Sequence, residues 1–252
     1  MSTLRPSAFV RPDDLRCIAF DADDTLWHNE RYFKLTQTRF AELLAPHTDA
    51  ADLDARLMQA ERRNIRHYGF GIKGFVLSMI ETALEVTGNA VPGTVISELI
   101  AAGQEMLQHP IDLLPHAAQA VAAAQAQGPV LLITKGDLPD QERKLAQSGL
   151  GEMFDAVEIV SDKVPHVYTR IFAPFGGAAH GMMIGNSMKS DVRPMIEAGG
   201  YGVHVPHDLY WDFETADAPD GHPRYRAIPD LGALPPLLRG RRGATFSPQS
   251  PV

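Results

Sequence analysis

The chain has 252 residues and a mass of 27.5 kDa, which is enough for one large domain or for a core with an inserted module. Hydrophobic residues make up 44% and charged residues 21%, a composition that excludes an intrinsically disordered protein. The formal charge of −8 argues against nucleic acid as a partner, and no apolar run reaches the ~18 residues of a membrane span. We expect a cytoplasmic protein, since the first residues lack the apolar run of a signal peptide and Cys17 has no second cysteine to pair with.

The first predicted element is a strand, and a long helical segment follows it. The apolar run of residues 17–20 stops at Asp21 and has the length of a buried strand. Between residues 30 and 112, apolar residues recur at helical spacing in roughly four groups that glycines and Pro92 separate. Because the crossover between two strands is normally far shorter, we expect a separate all-helical domain over residues 29–112.

Four more strands follow the helical insertion. They are predicted at residues 129–133, 154–160, 182–185 and 201–205, with helices at residues 139–149, 165–173 and 189–198 between them. Strands that alternate with helices predict an α/β core with a Rossmann-like parallel sheet, formed here by residues 13–28 and 113–238. Residues 1–12 and 239–252 are poor in apolar residues and are expected to be flexible tails.

Three aspartates, Asp21, Asp23 and Asp24, come directly after the first strand. Two carboxylates about 4 Å apart repel each other by up to ~4 kcal/mol at an effective dielectric constant near 20. A divalent cation would offset this repulsion, and oxygen ligands favour Mg²⁺. The carboxyl ends of strands are also where open α/β sheets bind ligands. The alternative for the same residues is an aspartate-rich turn that caps the next helix.

Residues suited to phosphoryl transfer follow the next three strands. Thr134 and Lys135 come after the second strand, Lys163 after the third, and the sequence GNSMKSD at residues 185–191 after the fourth. The Thr134 hydroxyl can hold phosphate oxygens, Lys163 supplies a cation, and Asp191 returns a carboxylate to the same edge. Each residue alone is also explained as a helix cap or a solvated lysine, but together they predict one phosphoryl-transfer site.

These motifs resemble those of the haloacid dehalogenase superfamily. The sequence DADDT at residues 21–25 is similar to its first motif, DxDxT, and Thr134, Lys163 and GNSMKSD are similar to its second, third and fourth motifs. In this superfamily, a helical insertion between the first and second motifs is called a C1 cap. The resemblance runs from about Leu15 to Pro206, and it implies a HAD-like core, a C1 cap and a Mg²⁺-dependent phosphatase.

The resemblance also implies roles in catalysis. Asp21 would be the nucleophile that forms an aspartyl-phosphate intermediate, and Asp23 would be the general acid and then the general base. Thr134 and Lys163 would hold the phosphoryl group, with Lys135 beside them. The expected substrate is a small phosphorylated metabolite.

A magnesium site is implied in the same way. Mg²⁺ would be bound by the Asp21 carboxylate, the backbone carbonyl of Asp23 and the Asp191 carboxylate. The chain has Asn186 where the fourth motif often has aspartate. An amide oxygen can still bind Mg²⁺, so Asn186 is expected as a further ligand beside Asp191.

Three residues outside the motifs are additional candidates. The glycine-rich turn of residues 69–74 lies between helices of the insertion, where C1-capped relatives have a loop that selects the substrate. Lys73 in this turn is therefore expected to contact an anionic part of the substrate, and an ordinary exposed lysine is the alternative. His204 and His207 lie beyond the fifth strand, but no third metal ligand of clear spacing accompanies them.

Two other activities of the superfamily stay open. A phosphosugar mutase shares all four motifs with a phosphatase. A haloacid dehalogenase uses the nucleophile without Mg²⁺ and typically lacks the second aspartate, whereas Asp23 is present here. The sequence identifies neither the substrate nor the oligomeric state.

Overall fold

A computed structural model describes residues 14–209 and 211–239, so the predicted tails, apart from Arg239, lie outside the described residues. The chain folds into two compact units. One, the α/β unit, contains the chain up to His28, Asp112–Thr134 and the chain from Ser148 onward. The other, the helical unit, contains Asn29–Ile111 and Lys135–Gln147. Residues 135–147 are predicted from the sequence to belong to the α/β core instead, and the domain boundaries stay a prediction.

Within the described residues, the α/β unit is built on a six-stranded sheet. In chain order its strands are β1 (Cys17–Phe20), β2 (Val130–Lys135), β3 (Ala156–Val160), β4 (Gly181–Gly185), β5 (Tyr201–His204) and β6 (Tyr225–Ala227). Their order in the sheet is β3-β2-β1-β4-β5-β6. The pairs β1–β2, β1–β4, β4–β5 and β5–β6 are parallel, which confirms the predicted Rossmann-like sheet.

Between β1 and β2 the chain forms helices, as the apolar spacing predicts. They are α1 (Glu30–Leu44), α2 (Ala50–Tyr68), α3 (Ile72–Val86) and α4 (Gly93–Gln108). The carboxylate of Asp49 caps α2 by accepting a hydrogen bond from the Asp52 N–H at 2.9 Å. The four helices share one hydrophobic core, to which they contribute Phe40, Leu44, Leu53, Leu57, Ile72, Phe75, Met79, Ala83, Leu99 and Met106.

The remaining helices are α5 (Ala117–Gln125), α6 (Leu138–Ser148), α7 (Pro165–Phe172), α8 (Arg193–Glu197) and α9 (Leu234–Arg239). A π-helical turn, Met188–Val192, precedes α8 and occupies the first half of the helix predicted at residues 189–198. Among the described residues, none of the helices combines the length and the apolar character that crossing a bilayer requires.

Several elements differ from the sequence predictions; among them, α9 is a helix that is not predicted. β2 includes Thr134 and Lys135, which the predictions place after the strand; threonine is β-branched and suits an extended backbone. β6 is not predicted, because its three residues are half-buried or exposed and form no apolar run. α5 is not predicted either, because its alanines give little contrast between an apolar and a polar face.

The central strands of the sheet are buried on both faces, and their pairing register brings their ends to one edge. All four residues of β1 are at most 1% exposed. Because side chains alternate between the two faces of a strand, Cys17 and Ala19 pack on one face, in a cluster with Tyr168 and Phe172 of α7. Phe20 is in register with Leu132 of β2 and Ile184 of β4, so these strands end at the same edge of the sheet.

The helical unit also buries two carboxylates. Glu61 of α2 is 9% exposed and Glu30 of α1 is 7% exposed, and Lys34 Nζ lies 3.7 Å from a carboxylate oxygen of Glu30. Burial, and then the charge of Glu30, raise the pKa of Glu61 from its ordinary 4.5 to about 7, while Lys34 acts in the opposite direction. Between these two pH values the folded chain keeps a proton that the unfolded chain has lost, so Glu61 makes the fold less stable as the pH rises.

We expect Glu61→Gln to raise the free energy of unfolding at about pH 8 by about 1–3 kcal/mol, because position 61 then no longer carries a buried carboxyl group that has to ionise. The gain should vanish below pH 4.5, where Glu61 is protonated in both states, and grow toward pH 7. Urea denaturation across this range measures the difference, with Glu42→Gln on the exposed face of α1 as the control. A gain that does not change with pH would contradict the expectation.

Candidate functional site

The change in strand order between β1 and β4 creates the crevice in which the polar segments meet. The chain proceeds from β1 to β2 and β3 on one side and from β4 to β5 and β6 on the other. Open α/β sheets bind ligands at the carboxyl end of such a switch point. Asp21 follows β1 directly and Asn186 follows β4. The Asp21 N–H donates to the Ile184 carbonyl at 2.8 Å, which ties the two strand ends together.

The centre of the site is one ammonium group shared by two carboxylates. Lys163 lies between β3 and α7, and its Nζ donates to Asp21 Oδ1 at 2.5 Å and to Asp191 Oδ1 at 2.7 Å. The Lys163 and Asp191 side chains are each 1% exposed, so water screens their attraction little. Lys163 therefore fixes the positions of both carboxylates.

Burial changes the acidity of these groups. Burial, followed by the charge of Asp191, raises the pKa of Asp21 to about 7, against the lowering effect of Lys163. Burial alone would lower the pKa of Lys163, but the charges of Asp191 and Asp21 outweigh it and raise that pKa above its ordinary value. Lys163 therefore stays charged, and this trio carries more negative than positive charge when both carboxyl groups are ionised.

Thr25 connects the ends of β1 and β4. Its Oγ1 lies 2.9 Å from Asp21 Oδ2 and 3.2 Å from Asn186 Oδ1, and it accepts a hydrogen bond from the Asn186 N–H at 3.0 Å. A hydroxyl has a single proton, so Thr25 donates to the carboxylate or to the amide oxygen at any one time. Thr25 belongs to the motif DADDT, but the sequence predicts no role for it; its spacing of four residues from Asp21 is the signal that could have indicated one.

Hydrogen bonds of the π-helical turn and of Ser187 before it hold the Asp191 carboxylate in place. Ser187 caps the π-helical turn, since its Oγ accepts from the Ser190 N–H at 2.9 Å, and the Ser187 N–H donates to Asp191 Oδ2 at 2.9 Å. Ser187 Oγ in turn donates to Glu214 Oε2 at 2.6 Å. Sequence reasoning missed Glu214, because it lies 27 residues from Ser187 and belongs to no motif.

The turn after β1 gives its three aspartates different surroundings. Asp21 contacts Lys163, whereas the half-buried Asp23 accepts a hydrogen bond at its Oδ1 from Trp27 Nε1 at 2.7 Å. Asp24 has a backbone φ of +59°, and its Oδ1 lies 3.6 Å from His207 Nε2. The structure thus places Asp21 in contact with Lys163, Asp23 in contact with Trp27, and Asp24 beside His207.

The predicted phosphate-binding and substrate-binding residues occupy different places. Thr134 is the last buried residue of β2 and is 1% exposed. Lys135 Nζ lies 4.2 Å above the Phe70 ring within the helical unit. Lys73 lies in the first turn of α3 rather than in a loop, because the helix begins at Ile72, and its Nζ is 3.0 Å from both carboxylate oxygens of Asp137.

His204 is the last residue of β5 and His207 follows the strand, and the two histidines have separate partners. His204 Nε2 donates to the Asn186 carbonyl at 3.0 Å, and burial lowers the pKa of His204. His207 Nε2 lies 3.4 Å from His28 Nδ1. In the part of the chain that the structure describes, no group of three His, Cys, Asp or Glu side chains has the arrangement of a metal site.

The oxygen donors at the strand ends nevertheless fit Mg²⁺. Asp21 and Asp191 bring two carboxylates to one point, and the amide oxygen of Asn186 is linked to Asp21 through Thr25. Such hard oxygen donors are what Mg²⁺ prefers, and the surplus of negative charge in the buried trio favours a cation. Neutral oxygens, rather than a third carboxylate, would complete this set of ligands.

Comparison with known proteins finds a matching family model and similar solved structures. Residues 15–199 match the family model of the haloacid dehalogenase-like hydrolases. A haloacid dehalogenase-like family hydrolase from Xanthomonas campestris is 36% identical; the match covers 93% of this chain and 96% of that chain, with a TM-score of 0.80. Comparison with curated proteins finds no significant match.

Two less similar structures share the fold. YfnB from Bacillus subtilis, assigned to the HAD-hydrolases and bound to magnesium, is 20% identical, with 90% of this chain and 100% of that chain covered and a TM-score of 0.63. L-2-haloacid dehalogenase from Xanthobacter autotrophicus, with chloropropionic acid covalently bound, is 18% identical, with 90% and 99% covered and a TM-score of 0.57. At these identities the likeness supports the fold alone.

Gly185 provides a test of how tightly the Asp191 carboxylate is held. A methyl group on Gly185 would overlap the Asp191 carboxylate, so Gly185→Ala must displace it from Lys163. We expect the substitution to lower the free energy of unfolding by about 1–3 kcal/mol, a typical result of overpacking. Gly93→Ala is the control, because nothing lies within 4 Å of its added carbon. Equal stabilities for the two variants in urea denaturation would show that the carboxylate is free to move.

Proposed function

This chain belongs to the haloacid dehalogenase-like hydrolases, and from this membership we propose that it is a Mg²⁺-dependent phosphatase acting on a small phosphorylated metabolite. The observation that carries the proposal is the buried contact of Asp21 with Lys163, which Asp191 shares. A carboxylate and a dianionic phosphate repel each other, so attack requires positive charge beside both of them. Lys163 supplies such a charge at the Asp21 oxygen.

Hydrolysis would proceed in two steps. In the first, an Asp21 oxygen forms a bond to phosphorus, the bond from phosphorus to the leaving oxygen breaks, and Asp23 gives its proton to that oxygen. In the second, Asp23 takes a proton from water, whose oxygen attacks phosphorus and releases the Asp21 carboxylate. The products are an alcohol and inorganic phosphate. Thr134 and Lys163 would hold the phosphoryl oxygens.

The Asp21 and Asp191 carboxylates, the Asn186 amide oxygen and the Asp23 backbone carbonyl would hold Mg²⁺. When bound, the ion would screen the charges of the phosphate and of the attacking carboxylate. Thr25 supports this arrangement, because its hydroxyl lies within hydrogen-bonding distance of both Asp21 and Asn186 and so sets the spacing of two ligands.

Asp23 favours a phosphatase over a dehalogenase. Halide is a stable anion that leaves without a proton, whereas an alkoxide leaves from phosphorus far more readily when an acid protonates it. A second carboxyl group on the turn after β1 has a task as a general acid only in the second case. A phosphosugar mutase would use the same groups, and an assay for free phosphate separates it from a phosphatase.

The helical insertion is proposed as a C1 cap that limits the substrate to a small molecule. Lys135 would contact phosphate beside Thr134, and Lys73 would contact an anionic part of the substrate. Lys73 is 59% exposed in its pair with Asp137, and an exposed ion pair of this kind contributes only about 0–1 kcal/mol, so a substrate anion could replace Asp137. In this proposal the enzyme is cytoplasmic and has neither nucleic acid nor membrane as a partner.

The metal requirement is tested by removing the ion. We expect the purified protein to release phosphate from p-nitrophenyl phosphate, to lose this activity in EDTA and to regain it with Mg²⁺, because uncompensated carboxylates would otherwise repel the phosphate. Chloride release from 2-chloropropionate, measured in parallel, should be absent. Halide release without Mg²⁺, or full phosphatase activity in EDTA, would contradict the proposal.

Substitution of Asp21 and substitution of Asp23 should impair turnover to different degrees. Asp21→Asn is expected to abolish turnover, since an amide is a very poor nucleophile, whereas Asp23→Asn should slow it by about 10²–10⁴ through loss of acid–base catalysis. Mg²⁺ binding, measured by calorimetry, should survive Asp23→Asn, because only the backbone of Asp23 is a ligand. Asp54→Asn on the exposed face of α2 is the control. Near-native turnover of Asp21→Asn would rule out Asp21 as the nucleophile.

A further inference from the structure

The Asp23 carboxyl group is held by a residue outside the four motifs. Trp27 Nε1 donates a hydrogen bond to Asp23 Oδ1 at 2.7 Å. We propose that Trp27 is a positioning residue for Asp23, which fixes the carboxyl plane and directs the acidic proton to the other oxygen, Oδ2. This inference rests on the proposed function, in which Asp23 exchanges a proton with the leaving group and then with water.

The indole is held in one place by the surrounding chain. Its side chain is fully buried, with 0% exposure. The Trp27 backbone forms a parallel bridge to Asp23 and an antiparallel bridge to Leu113, where the chain returns from the helical insertion. The Trp27 carbonyl also accepts a hydrogen bond from the Asp24 N–H at 2.7 Å. The N–H group of the indole therefore points in a fixed direction, and the hydrogen bond transfers this rigidity to Asp23.

The chemistry of the indole determines where the proton of Asp23 sits. An indole N–H donates and has no acceptor, so Asp23 Oδ1 must present a lone pair to it in both protonation states. When the carboxyl group is protonated, the proton therefore favours Oδ2, because the carbonyl oxygen of a carboxylic acid is a better acceptor than its hydroxyl oxygen. That proton goes to the leaving oxygen in the first step, and Oδ2 takes one from water in the second. Trp27 keeps its own proton throughout.

Without this hydrogen bond the carboxyl group would be less ordered. The terminal torsion of an aspartate is broad and roughly two-fold, so either oxygen could face the substrate and carry the proton. General acid catalysis depends on a donor that lies within hydrogen-bonding distance of the leaving oxygen. A donor that is correctly placed only part of the time would slow bond cleavage without changing how the phosphate is bound.

The hydrogen bond itself can be observed without any activity. The chain has two tryptophans, Trp27 and Trp211, so a ¹H–¹⁵N spectrum of the protein should contain two indole signals, which Trp27→Phe assigns. We expect Asp23→Asn to shift the Trp27 signal strongly, because a neutral amide oxygen replaces a carboxylate as acceptor, and to leave the Trp211 signal in place. An unchanged Trp27 signal would overturn the inference.

The kinetic test compares leaving groups. Trp27→Phe should lower kcat/KM for an alkyl phosphate by about 10- to 100-fold, because a poor leaving group needs the acid. For p-nitrophenyl phosphate, whose leaving group needs little protonation, the loss should be below about threefold. Trp211→Phe makes the same chemical change at the other tryptophan and should alter neither value. An equal loss for both substrates would mean that Trp27 only supports the fold.

A double variant tests whether Trp27 acts through Asp23. Adding Trp27→Phe to Asp23→Asn should lower the rate for the alkyl phosphate no further, whereas losses that multiply would show independent action and overturn the inference. If Trp27→Phe does not fold, 3-benzothienylalanine at position 27 keeps the shape of the indole and removes only the N–H. Wild-type protein that hydrolyses no phosphate ester would refute the proposed function, and the indole spectrum would still decide whether Trp27 holds Asp23.

Discussion

The contact of one buried ammonium group with two carboxylates is the constraint around which the α/β unit is organised. Lys163 reaches Asp21 at the end of β1 and Asp191 on the turn after β4, so one side chain joins three separate segments of the chain. Replacing a buried lysine in such a contact leaves uncompensated carboxylates, which typically costs about 3–5 kcal/mol. When both carboxyl groups are ionised, the site carries a surplus of negative charge, which makes it suitable for a cation.

The rest of the unit keeps these charged groups in place. β1 is almost completely buried, and its pairing with both β2 and β4 fixes the edge from which Asp21 projects. Around this edge, hydrogen bonds from neutral donors set the geometry: Thr25 links Asp21 to Asn186, and Ser187 links Asp191 to Glu214. Each charged group is thus held by a partner whose own position is fixed by the backbone, which is how a preorganised site avoids reorganisation during reaction.

Much of the fold was predictable because its elements have strong periodicity. The strands ending at Asp21 and at Asn186 are short, apolar and bounded by polar residues, and the insertion between β1 and β2 has clear helical spacing. β6 and α5 escaped prediction, because a half-exposed strand of three residues and an alanine-rich helix leave little pattern in the sequence. The end of β2 was placed two residues too early, since the strand continues through Thr134 and Lys135 after its apolar run stops.

The sequence by itself determined which chemical groups follow each strand. It also determined that these groups meet at one edge, because parallel strands of one sheet end on the same side. Only the tertiary structure decided how neighbouring groups divide their roles. Asp21, Asp23 and Asp24 have the same side chain, but the end of β1 and the turn that follows it place them beside Lys163, Trp27 and His207 respectively. A one-dimensional pattern records spacing along the chain, whereas these partners are selected by backbone direction and by contacts between residues as distant in the sequence as Asp24 and His207.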